Sequence, residues 1–182
     1  KKKVRWIELS SIGVYGFNDI GKKKFLDEKS KTNPSNYYEK SKLESEKIIT
    51  QAANNFFEYI ILRPSTVYGK GMKSDFIQKL NFFIKKKYFF YINFNKKIFN
   101  MIHINDLSNA LILCGTTNNT NEIYNVTKNY KLSQIVKIIC DFNKISEPKL
   151  VINEKLIIFL VYVLNKFINI NLNSRIINIL VS

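Results

Sequence analysis

Cysteine and histidine are scarce in this chain of 182 residues, which contains two cysteines and one histidine. Cys114 and Cys140 fall inside apolar helical patterns, and neither belongs to a Cys-x-x-Cys pair. We therefore expect buried, reduced thiols and no disulfide framework. His103 has no cluster of Cys, Asp or Glu beside it in the sequence, so no metal site is predicted.

Long apolar runs are also missing from the sequence. The longest, Leu156 to Leu164, is far shorter than the roughly 20 residues that a membrane-spanning helix needs. Residues 1–5 lead into a short strand pattern and not into the apolar region of a signal peptide. These features predict a cytoplasmic protein without a transmembrane segment. The run at Leu156 to Leu164 predicts a buried or docking helix, with a peripheral membrane contact as the alternative.

Acidic residues are too few to balance the basic ones. The chain has 29 Lys and Arg against 14 Asp and Glu, which gives a net charge of +15. Such a balance occurs in proteins that bind nucleic acid or anionic surfaces. Here, however, the lysines form scattered clusters, such as Lys1 to Lys3 and Lys85 to Lys87, without the interleaved aromatics of a recognisable binding module. We therefore expect no nucleic-acid partner.

Strand and helix patterns alternate along the chain, which predicts an α/β protein with a parallel sheet. Val4 to Leu9 forms the first strand pattern, and a helical pattern runs from Asn36 to about Asn54. Phe57 to Leu62 is a short, mostly apolar run, as expected for a strand that is buried on both faces. The remaining patterns predict a helix at Ser74 to Lys87, strands at Tyr88 to Ile92, Ile98 to Ile104, Glu122 to Val126 and Leu150 to Ile152, a helix from the N-cap Asn105 to about Cys114, an amphipathic stripe from Leu132, and two apolar helices at the end.

Tyr38 and Lys42 are four residues apart in a helical pattern, so their side chains share one helix face. A phenol is a poor base at neutral pH, and a cation one turn away favours its phenolate form. The pair therefore predicts a general base. The same Tyr-x-x-x-Lys spacing recurs after Tyr124, in a strand pattern, and after Tyr162, in an apolar helix. Spacing alone consequently does not select Tyr38.

Five motifs in a fixed order do select it. They are Ser10 to Gly16, Tyr38 to Leu43 with Pro34 before it, Leu62 to Gly71, Met101 to Leu107, and Tyr124 to Val126. This order resembles the extended short-chain dehydrogenase/reductases, the NAD-dependent epimerase/dehydratase family, from residue 4 to about residue 152. The nucleotide-sugar 4-epimerases are its most similar members. The resemblance implies a partial Rossmann-like, doubly wound parallel sheet with a small C-terminal α/β substrate-binding subdomain.

The resemblance also implies roles for individual residues. Ser11 would hydrogen-bond the sugar O4, Tyr38 would take the proton from that hydroxyl as hydride leaves C4, and Lys42 would hold the nicotinamide ribose. The residues implied in cofactor binding are Ser10, Tyr38, Lys42, Arg63, Pro64 and Ser65, and those implied in substrate binding are Ser11, Thr66 and Lys73.

The activity implied is NAD(P)-dependent epimerisation at C4 of a sugar linked to a nucleotide or a lipid diphosphate, with NAD as the expected cofactor and NADP not excluded. Two alternatives stay open, namely a sugar-nucleotide 4-ketoreductase and a non-catalytic remnant with a basic binding surface. The segment Ser11 to Gly13 stands where the 4,6-dehydratases of the family have Thr-Asp-Glu. Dehydration is therefore disfavoured, since its acid and base are missing. For His103, a structural role at a strand end is the favoured interpretation.

One feature of the family does not occur in this sequence. The glycine-rich loop Gly-x-x-Gly-x-x-Gly, which binds the cofactor diphosphate at a helix N-terminus, has no match. We therefore expect a C-terminal fragment that is inactive in isolation. The resemblance also implies that the full-length protein is a homodimer. Residues 1–70 are predicted to form the C-terminal half of the cofactor domain. Residues 71–182 are predicted to form the substrate-binding region, interleaved with late Rossmann elements around 98–126.

Overall fold

The computed structural model describes residues 3–16, 25–70, 75–92, 98–153, 155–157 and 159. The predicted α/β class is confirmed, because helices alternate with strands along the chain and the strands of the main sheet are parallel. The elements in chain order are β1 (Val4–Leu9), a 3-10 helix (Ile12–Tyr15), α1 (Tyr37–Ala52), β2 (Phe57–Pro64), β3 (Thr66–Tyr68), α2 (Asp75–Lys85), β4 (Tyr91–Ile92), β5 (Ile98–His103), α3 (Ile104–Thr116), β6 (Glu122–Val126), β7 (Lys128–Lys131), α4 (Leu132–Asn143) and β8 (Val151–Ile152).

A three-stranded parallel sheet has the order β1-β2-β6. Val4 lies opposite Phe57 at one end of the β1-β2 pair, and Leu9 lies opposite Leu62 at the other. Strand β2 is central, so both of its faces are covered and its residues 60–62 are at most 1% exposed. This position explains why residues 59–62 of β2 form a continuous apolar run and not an alternating pattern.

Helices α1 and α3 cover opposite faces of this sheet. Trp6 lies in a shallow apolar depression together with Ile48 of α1. Its neighbour Ile7 packs against a core cluster that includes Leu107 and Cys114 of α3. Successive side chains of a strand point to opposite faces, so the two helices lie on opposite sides. Apolar residues from β1, β2 and α3 thus form the core between sheet and helix.

Strands β3, β5 and β7 form a second small sheet, in which β3 and β5 are parallel. The sequence pattern predicted β5 but gave no signal for β3 or β7. His103, not Asn105, is the N-cap of α3, because its Nδ1 accepts a hydrogen bond from the Asn105 backbone N–H at 3.2 Å. The prediction of Asn105 as N-cap is therefore wrong, and the helix begins two residues earlier than predicted.

The chain divides into two compact units, residues 1–72 with 100–129 and residues 73–99 with 130–182. In the second unit α2 packs against α4, and Asn143 Nδ2 donates to Asn81 Oδ1 at 2.8 Å. No helix among the described residues is long and apolar enough to cross a membrane. The predicted apolar helices beyond residue 160 lie outside the described residues. Among the described residues of the second unit, the buried apolar ones are Leu80, Ile84, Ile135, Val136, Ile139 and Cys140.

Candidate active site

The chain leaves β1 through two serines and enters the 3-10 helix. Ser10 is buried, and its backbone N–H donates to the Leu62 carbonyl at 2.8 Å. Ser11 is the N-cap of the 3-10 helix, and its Oγ accepts from the Gly13 N–H at 3.1 Å. The turn ends at Gly16, which has a φ of 72°, where an added Cβ would lie 2.0 Å from a backbone oxygen. Ser11 is therefore held on a short, closed turn.

Helix α1 begins with a hydrogen-bonded cap that presents Tyr38 on its first turn. Asn36 Oδ1 accepts from the Glu39 N–H at 3.0 Å, and Glu39 Oε2 accepts from the Ser35 N–H at 2.7 Å. Burial alone would raise the pKa of Glu39, but hydrogen bonds from Ser35 and Asn36 lower it below its ordinary value. Tyr38 itself stays 60% exposed. The buried carboxylate thus fixes the helix start while the phenol remains accessible.

The start of α1 approaches the serine turn closely. An added Cβ at Gly13 would lie 3.0 Å from Glu39 Cγ, so a larger residue at this position would require the Glu39 side chain to shift by a few tenths of an ångström. One helical turn after Tyr38, Lys42 Nζ donates to the Leu9 carbonyl at 2.7 Å. The same Nζ lies 6.0 Å from the Tyr38 ring centroid. The predicted Tyr38–Lys42 pair therefore shares a helix face at the carboxyl end of β1.

The carboxyl end of β2 lies beside that of β1. Pro64 and Ser65 are buried, whereas Thr66 is exposed. The Ser65 N–H donates to the Val126 carbonyl at 3.0 Å, which extends the sheet by one residue. Ser65 Oγ is buried and has no hydrogen-bond partner among the described residues. An unsatisfied buried hydroxyl is unusual in a folded protein and calls for a ligand or a water molecule.

A cavity of about 360 Å³ lies where these segments meet. Parallel strands direct their carboxyl ends to one edge, which is where ligands bind in open α/β sheets. The cavity brings together most of the predicted site residues. Its lining comprises Ser10, Ser11, Ile12, Gly13, Tyr38, Glu39, Pro64, Ser65, Thr66 and Val67.

Arg63 was predicted to bind the cofactor, but it is not among the residues that line the cavity. It is 4% exposed, and its Nη2 lies 2.6 Å from Glu46 Oε2. Its Nη1 donates to Tyr15 Oη at 2.7 Å, and Tyr15 Oη donates to Asn125 Oδ1 at 2.9 Å. Burial alone would lower the pKa of Arg63, but these partners raise it above its ordinary value. The structure thus places Arg63 in an internal network.

Sequence reasoning missed Glu46, although a signal was present. Glu46 follows Tyr38 by eight residues and Lys42 by four, so all three fall on one helix face.

Lys73, predicted to bind substrate, lies outside the described residues. His103 contacts the Tyr68 ring edge to face, with centroids 5.2 Å apart. Across the described part of the chain, no group of three His, Cys, Asp or Glu could hold a metal ion.

Solved structures with the same fold cover about four fifths of this chain, while the chain spans about half of their length. UDP-glucuronic acid 4-epimerase from Bacillus cereus, solved with NAD, has a TM-score of 0.63 and 20% identity, over 82% of this chain and 50% of its own. UDP-N-acetylglucosamine 4-epimerase from Methanobrevibacter ruminantium, solved with UDP-N-acetylmuramic acid, has a TM-score of 0.60 and 20% identity, over 82% and 49%. RMD from Pseudomonas aeruginosa, solved with NADPH, has a TM-score of 0.59 and 18% identity, over 83% and 55%.

These likenesses confirm the Rossmann-like fold. No curated protein matches the chain. Residues 1–127, more than two thirds of the sequence, match the NAD dependent epimerase/dehydratase family. The nicotinamide cofactor that the sequence predicts agrees with the family and with the NAD and NADPH found in its solved relatives. The chain belongs to the NAD dependent epimerase/dehydratase family.

Proposed function

We propose that this chain carries the nicotinamide and sugar side of an NAD(P)-dependent enzyme that epimerises C4 of a nucleotide-linked sugar. The observation that supports this most strongly is the cavity shared by Ser11 and Tyr38, with Lys42 one turn further along the same helix. A hydroxyl, a phenol and an ammonium are the groups that a reversible alcohol oxidation needs. Two of the similar structures are 4-epimerases of UDP-linked sugars, which favours this substrate class.

The residues present fit a nicotinamide nucleotide. Ser65 offers a buried hydroxyl that has no partner in the described part of the chain, and the cavity that it lines lies at the carboxyl ends of parallel strands. We assign Ser10, Tyr38, Lys42, Pro64 and Ser65 to holding the nicotinamide half. When bound, the cofactor supplies a reversible hydride acceptor. Arg63 is given a supporting role, because its guanidinium is engaged with Glu46 and Tyr15.

The proton transfer is assigned to this chain's own side chains. Ser11 would hydrogen-bond the C4 oxygen of the sugar and orient its hydroxyl group. Tyr38 would take the hydroxyl proton on its phenolate oxygen and return it when the alcohol re-forms. Lys42 would hold the nicotinamide ribose. One of the three N–H donors of its ammonium reaches the Leu9 carbonyl, which leaves the group anchored near the phenol.

A titration with the two halves of NAD tests this assignment. The sequence contains no glycine-rich diphosphate loop, so we propose that this chain binds the nicotinamide half and does not turn over alone. In amide NMR spectra, nicotinamide mononucleotide and UDP-glucose should each shift the signals of Ser11, Tyr38 and Ser65. AMP is the matched control and should shift none of them. Shifts that fall elsewhere, or equal shifts with AMP, would contradict the proposal.

A reductase would use the same three residues but would consume its cofactor. In a protein that contains this chain, an epimerase should interconvert C4 epimers with catalytic NAD. Stoichiometric oxidation of NADPH during the reaction would favour the ketoreductase instead. The absorbance of NADPH distinguishes the two outcomes, because it falls only if the cofactor is consumed. NMR identifies the sugar products.

A further inference from the structure

Glu46 joins helix α1 to both of its neighbouring strands. Its Oε1 accepts from Ser10 Oγ at 2.5 Å and from Arg63 Nε at 2.9 Å. Its Oε2 accepts from Arg63 Nη2 at 2.6 Å. Ser10 immediately precedes Ser11, and Tyr38 lies two turns before Glu46 on the same helix face. One carboxylate therefore connects the helix of the phenol to the turn of the reacting serine.

A second link runs parallel to the first. Lys42, one turn before Glu46, donates from Nζ to the Leu9 carbonyl. Leu9 and Ser10 are consecutive residues at the end of β1, so two successive turns of α1 contact two successive residues of the strand. Two contacts at different positions along the helix axis fix the rotation of the helix about its axis as well as its distance from the strand. A single contact would fix only the distance.

The burial of this network is not explained by stability alone. Glu46 and Arg63 are 3% and 4% exposed. A buried ion pair is weak evidence for stability, since apolar residues of similar volume often serve equally well or better. Charge-assisted hydrogen bonds are, however, directional, and they fix the geometry of the groups they join. The feature that apolar packing would not reproduce here is the direction of the bond to Ser10.

We propose that Glu46 is a positioning residue, which acts through Ser10 to hold Ser11 where it can reach the same substrate oxygen as Tyr38. Glu46 is not among the residues that line the cavity, so it would act through Ser10 and not by touching the substrate. The identity of the reacting oxygen rests on the proposed function. The mechanical link between Glu46 and the serine turn does not, and it can be measured separately.

Amide hydrogen exchange in the 182-residue chain tests the link. The N–H groups of Gly13 and Val14 both donate to Ser11, so their exchange reports on the serine turn. In Ser10→Ala their exchange should accelerate about tenfold, as expected for the loss of one hydrogen bond. Exchange at Ile139 in α4 should not change. Ser65→Ala removes a hydroxyl that bonds to none of the described residues, and it should leave the turn as it is.

The conservative variant separates positioning from general stabilisation. In Glu46→Gln the amide oxygen can still accept from Ser10 while the charge opposite Arg63 is lost. Exchange at Gly13 should then stay slow although the whole chain unfolds at lower denaturant. Glu46→Ala would lose both the bond to Ser10 and the charge opposite Arg63. If the Glu46→Ala chain does not fold, the comparison of Ser10→Ala with Glu46→Gln still tests the link. Unchanged exchange at Gly13 in Ser10→Ala, or equal acceleration throughout the chain, would overturn the proposal.

A ligand titration connects the link to the site. With UDP-glucose as the probe, the induced shift of the Ser11 amide should shrink in Ser10→Ala and persist in Glu46→Gln. A full Ser11 shift in a Ser10→Ala chain with a loosened turn would reduce Glu46 to a structural role. If UDP-glucose and nicotinamide mononucleotide bind nowhere in the unsubstituted chain, the proposed function fails, whereas the exchange result still decides the link.

Discussion

Helices α1 and α4 bury different kinds of side chain. The inner face of α4 is aliphatic apart from one cysteine, whereas α1 buries Glu39 and Glu46 together with Ile49. Apolar burial is non-directional and contributes mainly to stability. A buried carboxylate costs free energy unless it is fully hydrogen-bonded, and its bonds then fix the orientation of its partners. The contrast indicates that α4 serves packing, while α1 serves the geometry of the cavity.

The largest effect on stability is expected from a substitution at Glu46. Glu46→Ala should lower the free energy of unfolding by about 3 to 5 kcal/mol, because Arg63 would remain buried without its counter-charge. Denaturation in urea, followed by circular dichroism, measures this. Glu44→Ala is the matched control on the same helix, since the Glu44 side chain is 63% exposed. It should change stability by less than about 0.5 kcal/mol. Equal losses in the two variants would contradict the comparison.

The corresponding change in α4 should affect stability without affecting the cavity. Ile139→Ala should cost about 2 to 4 kcal/mol, since it removes buried methyl groups and leaves a void. Binding of nicotinamide mononucleotide to the folded protein should stay as it was, as judged by amide shifts at Ser65. Ile138→Ala, at a side chain that is 59% exposed, serves as the control. If the folded Ile139→Ala chain no longer bound the nucleotide, α4 would also contribute to the geometry of the cavity, which would contradict the comparison.

The start of α1 should show a smaller effect. Asn36→Ala removes the acceptor for the Glu39 N–H and should cost about 1 kcal/mol. Asn36→Ser retains a capping oxygen and should cost little. Urea denaturation of the two variants measures the difference. If serine proved as costly as alanine, a contact other than the cap would have to explain the loss.

The smallest effect should be a pH dependence from Glu39. Its pKa is lowered on folding from the ordinary value of 4.5. Its contribution to stability is therefore present above the unfolded pKa and is lost as the pH falls through the folded pKa. Unfolding free energies measured between pH 6 and 3 should fall more gently in Glu39→Gln than in the unsubstituted chain. Parallel curves would show that Glu39 does not contribute to the acid dependence.

Much of the fold could be predicted from the sequence. Val4–Leu9 and Glu122–Val126 have the predicted bounds, because apolar residues predominate in each short segment. The three-residue strand Thr66–Tyr68 was missed, since Pro64 and Gly69 on either side indicate a loop. It forms through pairing with β5, a distant segment that local patterns do not reveal. Tertiary pairing thus overrode local propensity.

The candidate site was predicted less completely. The order of motifs indicated Ser11, Tyr38 and Ser65, which the fold brings to one cavity, while their chemical roles stay predictions. The internal place of Arg63 was not predicted, since charged side chains are mostly exposed and no local pattern distinguishes a buried one. Its partner Glu46 lies 17 positions earlier, and the two meet only because α1 packs against β2.

The spacing of Tyr38, Lys42 and Glu46 also restricts how this helix can evolve. An α-helix turns about 100° per residue, so one residue inserted or deleted between Lys42 and Glu46 would carry the carboxylate away from Ser10. Substitutions on the outer face of α1 do not change the angular position of the Glu46 carboxylate around the helix. Related sequences should therefore vary freely in the outward-facing residues of this segment, while the number of residues between the phenol and the carboxylate stays constant.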